Sequence, residues 1–291
     1  MDTVELLKKI KLLEIKTKAI TKQVFSGEYH AAFKGRGMTF SEVREYQPGD
    51  DIRTIDWNVT ARFNSPFVKV FDEERDLNVL LLIDMSGSNN FGLHEKLKKS
   101  LALELAAILC FSAISNNDKV GAIFITDSVE KFIPAKKGRK HALMILREMI
   151  EFKPTSNLTK LSSGFKFLQQ TQKKRSTVFA ISDFKDENSF LDAMAIARKK
   201  HDLVAIRIED KAEEMLPDLG IVPLKNVETG KINWVNTSDP SFIEHYQSLH
   251  QEEKLATKKE FRKRGIDYTE VSTEADYYKA LIELFHKRIK S

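Results

Sequence analysis

Residues 77–88 read LNVLLLIDMSGS. An unbroken apolar run, Val79 to Ile83, stops at Asp84 and is followed by Ser86 and Ser88. Strands covered on both faces read as continuous apolar runs, and such strands belong to parallel sheets. Ligands of open α/β sheets sit outside the carboxyl ends of those strands. Side chains of an extended chain repeat with period two, so Asp84, Ser86 and Ser88 present three oxygens on one side. Hard oxygen donors of this kind suit Mg²⁺, with Mn²⁺ or Ca²⁺ as alternatives. The plainer reading is a polar turn that opens a helix with Ser88 as its N-cap.

Working outward, the same pattern returns. Thr177 to Ser182 is a second buried run and ends at Asp183, and Leu203 to Ile208 is a third. Between them lie helical patterns over 93–115, 138–151 and 160–172. The first of these contains LALELAAILCF, apolar nearly all round, which marks a buried helix. Val120–Thr126 and Val129–Ile133 are close enough to form a hairpin at a sheet edge. Residues 222–236 read as a second hairpin around Glu228-Thr229-Gly230. A long helix over 240–264, a strand over 266–271 and a helix over 275–289 close the chain. Strands alternating with helices predict a doubly wound, mostly parallel sheet with one antiparallel edge strand and helices on both faces.

Residues 1–75 differ. A basic amphipathic helix is expected over 3–24, docked on its own domain. Glycines and prolines punctuate residues 25–66. YQPGDD, residues 46–51, is a turn signal, and DIRTIDW, residues 51–57, crowds charges beside an indole. That density predicts a hydrogen-bonded, partly buried network. Phe67 to Phe71 alternates apolar and polar residues and reads as a strand. The expected organisation is therefore a family-specific segment over 1–75 packed on a main domain over 76–291.

GEYHAAFKGRGMTFSEVREYQPGDDIRTIDWNVTAR, residues 27–62, together with VKVFDEE and LLLIDMSGS, resembles the bacterial family named "domain of unknown function 58". The matching positions are Gly35, Gly37, Phe40, Arg44, Tyr46, Gly49, Asp50, Asp51, Arg53, Ile55, Asp56, Trp57, Ala61 and Arg62. The D-x-S-x-S loop also looks like the metal-ion-dependent adhesion site of von Willebrand factor A domains. That resemblance implies a metal held by three loops: Asp84, Ser86 and Ser88 in the first, a threonine in the second, Asp183 in the third. Ser156 falls where the second loop has its threonine, and Thr155 or Thr159 could serve instead. The resemblance further implies a non-catalytic adaptor whose metal engages an acidic group on a partner. That partner would be a MoxR-type AAA+ ATPase or its client protein, in chaperone-like assembly or maturation. Arg44, Asp50, Asp51, Arg53, Asp56, Trp57 and Arg62 are the motif residues of the family's own segment, expected to be structural first and an interaction site second.

Two other readings compete. Haloacid-dehalogenase-like phosphatases also place an aspartate at the end of a buried strand, with an acidic pair later, here Asp183 and Asp186. They need D-x-D, and Ser86 stands where the second carboxylate would act as general acid. A structural domain with a vacant metal site is the other. The seven histidines lack H-x-H or H-E-x-x-H spacing, which speaks against zinc, and no Walker A loop exists. The net charge of +5 comes from lysines spread along helices without interleaved aromatics, so no nucleic acid is expected. No apolar run approaches the ~20 residues of a membrane span. Cys110 is a single thiol inside an apolar helix, which together with the missing leader pattern predicts a cytoplasmic chain.

Overall fold

A computed structural model of the chain describes residues 11–14, 32–33, 38–73, 77–87, 98–186, 190–210, 213, 216–225, 230–274 and 276–290. The chain divides into two units, Phe33–Asp76 and a larger one that joins Met1–Ala32 to Leu77–Ser291.

The smaller unit is built on two antiparallel strands, β1 (Met38–Glu45) and β2 (Phe67–Glu73), with a register shift between Phe40 and Glu42. Of the two, β2 is the strand that the alternation from Phe67 to Phe71 predicts; β1 is an addition of the structure. Between them, Gly49 takes φ 111°, a conformation that suits glycine, in the turn that Asp50 N–H closes onto Gln47 O at 3.0 Å. Asp51 then caps a single 3-10 turn, Ile52–Thr54, and Asp56 caps helix α1 (Trp57–Phe63) by accepting from Asn58 N at 3.0 Å and Val59 N at 3.3 Å. Asn64 ends α1 in the left-handed region, φ 54°.

The larger unit is a six-stranded sheet. In chain order it comprises β3 (Asn78–Asp84), helix α2 (Lys98–Ser115), β4 (Lys119–Ile125), β5 (Val129–Lys136), helices α3 (Arg139–Glu151) and α4 (Leu161–Thr171), then β6 (Thr177–Ser182), α5 (Leu191–Lys200) and β7 (Asp202–Glu209). A separate antiparallel ribbon follows, β8 (Ile221–Lys225) with β9 (Ile232–Asn236), then α6 (Pro240–Lys263), β10 (Asp267–Ser272) and α7 (Tyr277–Lys290). The strand order is β10-β7-β6-β3-β4-β5, parallel throughout except for the antiparallel edge strand β5. This is the doubly wound sheet that the apolar runs implied.

Burial follows the pleat. Leu80 and Leu82 of β3 share one face with Ile123 and Ile125 of β4, where Phe165 of α4, Met194 of α5 and Phe261 of α6 cover them. Alternate residues, Val79, Leu81 and Ile83, are equally buried on the other face, where α2 meets β3, β4 and β7. Helix α2 is buried from Leu101 to Ala113 almost without interruption, as its all-round apolar sequence requires. Gly121 of β4 lets β5 come close: a Cβ there would lie 2.6 Å from Ile133 O and 2.7 Å from Ala135 N. Of the expected N-terminal helix, residues 11–14 are helical and the remainder of 3–24 lies outside the described residues. Glu14 pairs with the Arg139 guanidinium through two hydrogen bonds of 2.7 Å.

Among the described residues, no helix is long and apolar enough to cross a membrane.

Candidate metal-binding rim at the switch point

β3 is the first strand of the sheet, and β4 lies on one side of it while β6 lies on the other. The strand order therefore reverses between β3 and β6. Connections leaving two such strands run to opposite faces of the sheet and open a crevice between them. Asp84 ends β3, and Ser182 ends β6 one position beyond the paired residues Ile83 and Ile181. Both aspartates that the sequence singled out thus stand at one rim.

Three hydrogen bonds stitch the three loops together. Gly87 N–H donates to Asn157 O at 3.0 Å, joining the loop after β3 to the 152–160 loop. Leu161 N–H donates to Asp186 Oδ2 at 2.8 Å, joining that second loop to the loop after β6. Ser182 Oγ donates to Asp84 Oδ2 at 2.7 Å and closes the triangle. The other Asp84 oxygen accepts from Ser86 N–H at 2.9 Å, so Asp84 also shapes its own loop. Phe184 adopts φ 56°, an uncommon conformation for a bulky residue. Its ring is held there against Phe190 and Phe261, with centroids 5.8 and 5.2 Å away. This anchoring fixes the turn that carries Asp183.

The electrostatics are those of two carboxylates removed from water. Asp84 and Asp183 are each 1% exposed, and Ser86 is fully buried. Burial, then the charge of Asp183, pushes the Asp84 carboxyl up to about 6. Asp183 moves the other way. Burial acts to raise it, but the Lys98 ammonium, followed by Lys185, outweighs that and holds it below the ordinary carboxylate range. Lys98 is the unexpected member. Its ammonium is wholly buried, 3.1 Å from Asp183 Oδ2 and in contact with Glu213. Lys185 bridges to the other Glu213 oxygen at 3.1 Å. The sequence did carry one signal: Lys98 stands on the apolar stripe of α2 with Leu101, Ala102 and Leu105, where a lysine needs a buried partner.

The remaining predicted positions fall unevenly. Ser88 lies outside the described residues. Ser156 is half-buried, with its Oγ accepting from Leu158 N–H at 3.2 Å. Thr155 is exposed, its N–H bound to Glu130, whereas Thr159 is buried. In the smaller unit Arg44 grips Asp50 through bonds of 2.8 and 2.7 Å, and Asp56 lies 3.4 Å from Lys69. The expectation of a partly buried network fails for Arg53 and Trp57, which are 93% and 68% exposed, and Arg62 is exposed too. Charge density along the chain does not decide burial here, because no residue of the short helix α1 is buried.

Two buried carboxylates with neighbouring hydroxyls fit a hard divalent cation. Among the described residues no three His, Cys, Asp or Glu side chains gather to hold an ion. An ion at this rim would rest on Asp84, Asp183 and the Ser86 hydroxyl, completed by water or a partner.

The large unit is thus a doubly wound, mostly parallel α/β sheet with acidic and hydroxyl side chains at its switch point. The chain belongs to the family described as "Protein of unknown function DUF58", whose model matches residues 42–256. Similar proteins include Mb1516 of Mycobacterium bovis and Rv1480 of Mycobacterium tuberculosis, both described as uncharacterized. Each is 27% identical over 290 residues, spanning 99% of this chain and 91% of theirs. Among solved structures, BatB from Bacteroides thetaiotaomicron is 16% identical with a TM-score of 0.47, covering 74% of this chain and all of its own. The SpRpn10 VWA domain is 11% identical with a TM-score of 0.42, covering 72% of this chain and 94% of its own.

Proposed function

We propose that this chain is a non-catalytic protein-binding module whose rim holds a divalent cation, Mg²⁺ in the first place, and through it engages an acidic group of a partner. The observation that carries the reading is the pair of buried carboxylates, Asp84 and Asp183, within one hydrogen-bonded set of three loops. When bound, the cation would supply a coordination place for a carboxylate from outside the chain. The chain's own part is positional. Ser182 orients Asp84, the Phe184 turn orients Asp183, and the Gly87–Asn157 bond keeps the second loop at the rim. Ser86 argues against phosphoryl transfer, because a buried hydroxyl stands where an acid would have to protonate the leaving group. By the family resemblance, the partner is a MoxR-type AAA+ ATPase or its client. Co-purification with a tagged ATPase of that type, with and without EDTA, tests the reading. Retention that needs Mg²⁺ and is lost in Asp84→Ala is the expected result. An Asp84→Ala variant, folded by circular dichroism, that keeps full partner affinity would sink it.

A further inference from the structure

We propose that the Lys98 ammonium is the chain's own cation for Asp183, and that a divalent ion binds only by taking this carboxylate from it. The inference rests on the metal reading above and adds what regulates it.

Lys98 is wholly buried at the start of α2, yet it is not a stray charge. Its ammonium bridges two carboxylates, Asp183 and Glu213, and the second oxygen of Glu213 is held by Lys185. A lysine head has three donors on a flexible stem, so it can give up one acceptor and keep another. Glu213 is therefore a resting place: the ammonium can release Asp183 without leaving the interior. The set of Asp84, Asp183 and Glu213 against Lys98 and Lys185 holds three carboxylates and two ammoniums. A divalent ion that added its charge beside an ammonium still seated on Asp183 would meet repulsion in a water-poor site. A small cavity with room for about one water, lined by Asp183, Lys185, Glu213 and His250 among others, lies beside the cluster.

The consequence is a preformed rim that keeps Asp183 charged without metal, and a divalent affinity set low by an internal competitor. Mn²⁺ titration of the full chain, by calorimetry and electron paramagnetic resonance, tests it. Lys98→Gln is expected to bind Mn²⁺ about tenfold tighter or more, since a like charge is gone. Glu213→Gln, which leaves the ammonium with Asp183 alone, is expected to bind it several-fold more weakly. Equal affinity in wild type and Lys98→Gln, with binding lost in Asp84→Asn, overturns the Lys98 role and leaves the metal reading standing. Binding in Lys98→Gln but not in wild type supports the Lys98 role and overturns the metal reading for the natural chain. No binding in either overturns both. A Lys98→Gln chain that folds only when Mn²⁺ is supplied supports the exchange. If it stays unfolded even then, Glu213→Gln decides: weaker binding than wild type supports the proposal, and equal, tighter or no binding overturns it.

Discussion

Replacing Asp84 by asparagine removes a charge from the rim and keeps the side chain's shape. The carbonyl oxygen of the introduced amide can still accept from Ser86 N–H, and its NH₂ can donate to Ser182 Oγ, reversing the bond that Ser182 now donates. The charged carboxylate is the strained form. Its pKa rises from 3.8 in the unfolded chain to about 6 in the fold, through burial first and the charge of Asp183 second. Each pKa unit corresponds to about 1.4 kcal/mol, so ionised Asp84 lowers the stability of the metal-free protein by about 3 kcal/mol. The sign follows from the raised value. Below the unfolded pKa both states carry the proton and nothing is lost. As the pH rises the unfolded chain releases its proton first, stability falls across the window, and the loss is complete once the pH passes about 6. Asparagine never ionises. Asp84→Asn should therefore match wild type near about pH 4 and exceed it by about 3 kcal/mol near about pH 8, a rise in Tm on the order of 5–10 °C. Urea denaturation in EDTA at both pH values measures this. Adding Mg²⁺ should then raise the Tm of wild type and not of the variant, because a ligand stabilises only the state that binds it. An Asp84→Asn chain no more stable than wild type at the higher pH, with metal chelated, refutes the reasoning.

Further outcomes are expected beside the ATPase pull-down and the Mn²⁺ titrations. Gly121→Ala should cost roughly 1–3 kcal/mol, because its new methyl would press on backbone atoms of β5 and not on a side chain that can turn aside; an unchanged denaturation midpoint would contradict that. Cys110 is fully buried, and burial pushes its thiol up to about 12. Thiolate is the reactive form, so the native chain should resist Ellman's reagent at neutral pH and react once unfolded. Prompt labelling of the native chain would show that α2 opens far more readily than its packing implies.

The sequence by itself determined the large unit's frame. Short apolar runs bounded by polar turns read as strands covered on both faces, and their alternation with helical patterns leaves few arrangements besides a doubly wound sheet. Because two of these runs end in an aspartate, the sequence also marked Asp84 and Asp183, and the strand order that sets β3 beside β6 brings them to one rim. Strand β1 escaped notice because MTFSEVRE alternates weakly and its pairing with β2 is broken by a register shift. The exposure of Trp57 and Arg53 was not legible either, since charge spacing says nothing about which surface a short helix turns outward. Only the tertiary structure decided what stands against the acidic rim. Lys98 and Asp183 are 85 residues apart, and no local period links a lysine on one helix to a carboxylate at the end of a distant strand. Folding forces the pair together, because a buried charge is tolerated only with an opposite charge beside it.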